Sequence, residues 1–206
     1  MRYIVRLGEI GSLLKLGWLV ALALSASTLA RADDLLSGNP SAPAELQLYD
    51  PTKFEFRGGY LFSPFGPEQG TSDVTGALVF PKFVSLPGWQ DMLIPRIRVG
   101  GVGNLGGRTS YAYADGLWTV NFNRAFAELF FGGLVHNGPL FASADNSTAL
   151  GCRELYHMGA DLGWRFDQHW SVMATFEHGS NGEPVWSDCR ANRGLNVTGV
   201  SFGYSF

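Results

Sequence analysis

The sequence predicts an all-β protein, an eight-stranded antiparallel β-barrel that crosses a membrane, and three observations carry this reading. Segments of about ten residues alternate between bulky apolar and small or polar side chains, the period-two signature of strands. Beyond residue 32, no apolar run approaches the ~20 residues that a spanning helix needs, so a membrane span must be built from strands. Charged residues make up only 16% of the 206-residue chain, beside 27 Gly and 14% aromatics. A soluble domain carries about 25% charge. Small transmembrane barrels share this pattern, with apolar side chains outward to lipid and small or polar ones inward.

Residues 1–32 read as a secretory signal. Arg2, Arg6 and Lys15 give a positive start, residues 16–26 an apolar run, and Ala30-Arg31-Ala32 an A-x-A cleavage site before Asp33. Residues 33–52 show no sustained period and are expected to form a periplasmic lead-in, with the barrel filling 53–206.

The first strand is expected at 53–62, with Phe54 and Phe56 opposite Glu55 and Arg57. A Pro/Gly loop follows at 63–73. The second, at 74–83, is weakened by Pro81, which cannot donate to a ladder. Pro87-Gly88 marks a turn. The third, at 93–102, sets Ile97 and Val99 against Arg96 and Arg98, and 104–108 is a Gly-rich turn. Strands at 110–121 and 125–136 are joined by a short turn, and a polar loop covers 137–151. The sixth strand, at 153–166, turns tightly through Asp167-Gln168-His169 into the seventh, at 170–180. After another polar loop the eighth runs from 195 to the final Phe206, an ending that resembles the terminal signal of outer-membrane barrels.

An even strand count in up-and-down order closes a barrel. Connections after the second, fourth and sixth strands are expected to be mostly short. Those after the first, fifth and seventh are long, and the one after the third is moderate. Trp118, Trp164, Phe166, Trp170, Tyr204 and Phe206 gather near the short-turn end as one interfacial girdle. Glu55, Arg57, Arg96, Arg98, Asp115, Glu128, Asp161, Arg165 and Glu177 face inward. Eight strands leave an interior just wide enough for side chains, so these charges read as an ion-paired plug. A net charge of −3 without a basic cluster argues against a nucleic-acid partner.

The chemistry is expected on the outer face of the last two strands. His178, Ser180 and Asn196 share that face with bulky apolar residues. From Trp170 to His178 a tilted strand rises roughly 20 Å, at ~3.3 Å per residue, which brings His178 and Ser180 to the outer membrane interface. A Ser beside a His can be a nucleophile and its base, a third polar group can hold the imidazole, and Asn181 or backbone amides near Gly182 can face an oxyanion. His-x-Ser alone is weak evidence, and three interfacial polar residues are the plain alternative. Two cysteines, Cys152 and Cys189, in an exported chain predict a disulfide between external loops. Arg153, Arg190 and Arg193 lie beside these loops, either to meet phosphates or as solvated charge, and His136 is expected to face inward.

Four segments carry a resemblance that covers the expected barrel: FGGLVHNG at 131–138, GADLGWRF at 159–166, HGSNG at 178–182 and NRGLNVTGVSFGYSF at 192–206. They resemble the PagL-type lipid A 3-O-deacylases, also called acyloxyacyl hydrolases. The resemblance implies an eight-stranded outer-membrane barrel that hydrolyses the ester-linked 3-hydroxyacyl chain at the 3-position of lipid A. It implies His178 as catalytic base, Ser180 as nucleophile and Asn181 in the oxyanion site. The third member in the family is an acid, where this chain has Asn196. An amide can orient an imidazole but cannot offset its positive charge. The implied chemistry needs no metal or cofactor, and lipid A in the outer leaflet is the implied partner. A homodimer is compatible with the barrel. Two other readings remain at this level, a non-catalytic structural or lipid-binding barrel and a small transporter or adhesin.

Overall fold

The computed structural model describes residues 48–141, 149–182, 189 and 194–206. The expected signal and most of the lead-in lie outside these residues. The described chain forms β1 (Glu55–Phe62), β2 (Ser72–Val79), β3 (Arg96–Asn104), β4 (Tyr111–Phe122), β5 (Ala125–His136), β6 (Glu154–Arg165), β7 (Trp170–Ser180) and β8 (Leu195–Ser205). Each strand pairs antiparallel with its sequence neighbour, and β8 returns to β1 to close the barrel. Closure leaves no strand edge unpaired, the condition for strands to sit in hydrocarbon.

Alternation places the side chains as the sequence predicts. In β7, Ser171, Met173, Thr175 and Glu177 are buried, whereas Trp170, Ala174 and Phe176 are exposed. The girdle forms at the rim where β8 ends. Trp170 meets Tyr204 edge-on with ring centroids 4.8 Å apart, and Phe206 stacks on Phe54 at 6.0 Å.

The connection between β2 and β3 departs from expectation. The second strand stops at Val79 rather than 83, because Pro81 has no N–H to continue the ladder. Residues 80–95 then make a long excursion at the rim otherwise served by tight turns, with a 3-10 helix at Gly88–Leu93. Lys82 Nζ lies 2.7 Å from Asp91 Oδ2, and Trp118 Nε1 donates to the Leu93 carbonyl at 3.1 Å. The other two turns at this rim are tight. Asn123 occupies the left-handed region at φ 59°, and Asp167 Oδ1 accepts from the His169 and Trp170 amides at 2.7 and 2.8 Å.

The barrel interior is filled. Arg57 donates to Glu55 at 2.9 Å and to Glu128 at 2.7 Å, with Asp161 at 3.3 Å. Arg98 donates to Asp115 at 2.6 Å and lies 3.8 Å from the centre of the Phe130 ring. His157 Nδ1 is 3.0 Å from Asp115, and its Nε2 is 3.4 Å from Glu177. Between Arg57, Arg98, Asp161 and Glu177 a gap of about 10 Å³ remains. One water needs about that much room, so the gap holds one water at most. Toward the loop rim an apolar cluster that includes Leu61, Leu134, Leu155, Leu195 and Leu150 caps the charged layer.

Candidate active site

β7 and β8 build the site because their registers oppose its members. His178 pairs directly with Asn196, Met158 on β6 flanks His178, and Tyr156 pairs with Ser180. Opposed residues on one face have Cβ atoms about 5 Å apart, close enough for short polar side chains to meet. The His178 and Asn196 side chains do meet, with His178 Nδ1 2.8 Å from Asn196 Oδ1. An amide oxygen accepts, so this contact assigns the proton to Nδ1 and leaves Nε2 as the basic nitrogen.

Ser180 keeps the same parity as His178, two residues along the strand. Its exposure differs from the expected lipid-facing position. Ser180 is only 6% exposed, while His178 is half-buried. Parity fixes the face of a strand but not what lies over it.

The segment after Ser180 turns at once. Gly182 has φ +66°, a conformation that L side chains rarely adopt, and its N–H points to Ser180 Oγ at 3.4 Å. Asn181 is 2% exposed, and its Nδ2 donates to the Cys189 carbonyl at 2.9 Å. Cys189 is bonded to Cys152, with Cα atoms 5.6 Å apart. On the other side of that bond, His136 Nε2 lies 2.7 Å from the Cys152 carbonyl, and His136 is buried as expected. The Asn181 turn is thereby tied to the loop that precedes β6. Arg153 Nη1 donates to the carbonyls of His136 and Gly138, at 2.9 and 3.0 Å. Arg190 and Arg193 lie outside the described residues.

Several members of the site were not visible in the sequence. Gly194 lies against the imidazole: a Cβ there would stand 2.7 Å from His178 Cε1 and 2.9 Å from the Gly179 carbonyl. The Tyr156 ring lies 5.9 Å from that of His178. From the β1–β2 loop, Phe65 stacks on Phe176 at 6.4 Å, and a Cβ on Gly66 would be 3.5 Å from Asn196 Nδ2. The signal for Gly194 was present, since it precedes the strand that carries Asn196. Its contact with the imidazole depends on register and could not be read.

The fold defines a class, the small closed barrels of bacterial outer membranes. The N-terminal β-barrel domain of Pseudomonas aeruginosa OprF matches with TM-score 0.52 at 10% identity, covering 75% of this chain and 98% of that one. A crystal structure of the outer membrane enzyme PagL matches with TM-score 0.51 at 15% identity, covering 73% of this chain and 97% of that one. At these identities the likeness speaks to the fold alone. No curated protein matches the chain. The family model for lipid A 3-O-deacylase (PagL) matches residues 89–205, more than half of the chain. The chain belongs to the lipid A 3-O-deacylase family, an outer-membrane family of lipid A-modifying hydrolases.

Proposed function

We propose that this chain removes the ester-linked 3-hydroxyacyl chain at the 3-position of lipid A, with Ser180 as nucleophile and His178 as its base. The observation that carries this reading is the 2.8 Å contact between His178 Nδ1 and Asn196 Oδ1, which leaves Nε2 basic on the face that also bears Ser180. Family membership supplies the substrate class.

Lipid A reaches the site sideways, from the outer leaflet. His178 Nε2 takes the Ser180 hydroxyl proton as Oγ attacks the ester carbonyl carbon. The Gly182 N–H faces the oxyanion, and Asn181, held against Cys189, fixes that amide in place. The imidazolium then gives its proton to the departing sugar oxygen, leaving the acyl group on Ser180. Water, deprotonated by His178, attacks the acyl-enzyme and releases a 3-hydroxy fatty acid. Asn196 holds the imidazole in the required tautomer throughout.

A second reading rests on Asn196 itself. An amide in place of the family's acid supports a barrel that holds lipid A without turning it over. A long-chain alkyl fluorophosphonate separates the two readings. The account expects one adduct, on Ser180, absent in His178→Ala. A folded barrel that takes no label contradicts it.

A further inference from the structure

The long connection at the tight-turn rim, residues 80–95, carries an uncovered apolar surface, and the geometry points to it as an in-plane docking surface for the phospholipid leaflet on the periplasmic side of the membrane. Small barrels turn this rim to the periplasm. The surface lies at the end of β7 away from Ser180 and does not depend on the esterase chemistry.

Between Phe80 and Pro95 the chain holds two charges, Lys82 and Asp91, and they meet each other. Lys82 Nζ lies 2.7 Å from Asp91 Oδ2 and donates to the Asp91 carbonyl at 2.5 Å, while Asp91 Oδ1 accepts from the Leu86 N–H at 3.0 Å. The Lys82 side chain is itself covered. What remains outward is apolar. Phe83 and Trp89 are each 71% exposed, and Val84, Met92 and Leu93 are exposed by more than half. Residues three apart eclipse in a 3-10 helix, so Trp89 and Met92 share one side of Gly88–Leu93. A single exposed apolar side chain needs no explanation, but this many in one short connection mark a contact surface.

Two observations set lipid against that surface. First, an unbroken run of rings joins it to the girdle. Trp170 meets Tyr204, Tyr204 meets Phe206 and Phe206 meets Phe54. Phe54 then meets Phe80 at 5.7 Å, and Phe80 meets Phe83 at 6.4 Å. Phe83 is thus the last ring of the belt that marks the membrane interface. Second, the returning end leans on the outer wall of the barrel. Trp118, on the outward face of β4, donates to the Leu93 carbonyl at 3.1 Å. A Cβ on Gly116 would stand 3.0 Å from the Trp118 ring and 3.3 Å from Pro95 Cβ. Both ends of the excursion are therefore tied at interface height on the lipid side. The 3-10 helix between them spans only about 12 Å, at ~2.0 Å per residue, so its exposed side chains stay beside the leaflet. With both charges paired, residues 80–95 offer no free cation to phosphate. Insertion is apolar, and a zwitterionic leaflet serves as well as an anionic one.

Cys152 and Cys189 are bonded to each other, so a cysteine added to this chain is its sole free thiol. Trp89→Cys and Met92→Cys place a nitrobenzoxadiazole label on the surface. Leu129→Cys places it on the lipid face of β5, and Gln168→Cys on the tight turn at the same rim. Each full-length variant is folded into phosphatidylcholine vesicles, with heat-modifiable mobility as the fold check. The quenchers are a nitroxide at the fifth acyl carbon of phosphatidylcholine and iodide on both sides of the membrane. Two labelled positions are used so that if one variant fails to fold the other decides.

At 89 and 92 the lipid nitroxide is expected to dim emission about twofold relative to 168, because interfacial insertion of roughly 5–10 Å lies within its reach. Label at 129 sets the fully lipid-exposed limit. Iodide is expected to quench 89 and 92 less than 168, and added phosphatidylglycerol to change neither result. Iodide quenching equal to that at 168, without lipid quenching, overturns the docking surface, which then faces water. Protection from both quenchers overturns it too, because a second copy of the chain then covers the surface. Lipid quenching that appears only with phosphatidylglycerol overturns the apolar contact.

Discussion

Asn196→Asp isolates the departure of this chain from its family. Asn196 Oδ1 lies 2.8 Å from His178 Nδ1, and aspartate is close to isosteric with asparagine. The substitution therefore keeps the distance and adds a charge. A hydrogen bond between neutral partners contributes about 0.5–1.5 kcal/mol, and one to a charged group about 1.5–3 kcal/mol. The imidazole becomes charged only as Ser180 attacks, so the difference of roughly 1–1.5 kcal/mol falls on the transition state. That corresponds to a rate gain of about five- to tenfold. Asn196→Ala removes the orienting group and should slow the reaction by about tenfold. The assay is a time course of lipid A deacylation by mass spectrometry at saturating lipid, with folded barrel quantified by gel mobility. If Asn196→Asp were no faster than wild type and Asn196→Ala no slower, Asn196 would not act on His178 during the reaction.

Other perturbations follow from the same geometry. Replacing Cys152 and Cys189 with Ala should destabilise the barrel by about 4 kcal/mol in the chain-entropy relation for a sequence separation of 37, read as a lower urea midpoint. The same change loosens the Asn181 turn and should lower activity before the barrel unfolds. Arg57→Met strips Glu55, Glu128 and Asp161 of their shared cation inside the barrel. A loss of roughly 3–5 kcal/mol in urea unfolding is expected, because the carboxylates stay buried. The Trp170 and His169 amides hold the Asp167 carboxyl below its ordinary value. Its contribution to the β6–β7 turn is thus present above the ordinary carboxylate range and lost as pH falls through the lowered value. Asp167→Asn should flatten that part of the stability–pH curve.

The period of two was enough to place most of the barrel. Alternation alone bounds β5 at 125–136, where the strand lies, and it turns Glu128, Asp161 and Glu177 inward, where they are buried. The excursion at 80–95 was not legible, since a six-residue 3-10 helix repeats no pattern. His178, Ser180 and Asn196 were placed on one face because each strand states its own parity. Which residue of β8 stands opposite His178 is a matter of register between strands. The burial of Ser180 was likewise hidden, because alternation does not describe what covers a strand end.

The most direct measurement is mass spectrometry of lipid A incubated with the refolded wild-type barrel, beside Ser180→Ala of equal heat-modifiable mobility. The account predicts loss of one 3-hydroxyacyl chain from the 3-position with wild type and none with Ser180→Ala. Intact lipid A after incubation with folded wild type, or equal loss with Ser180→Ala, would contradict it.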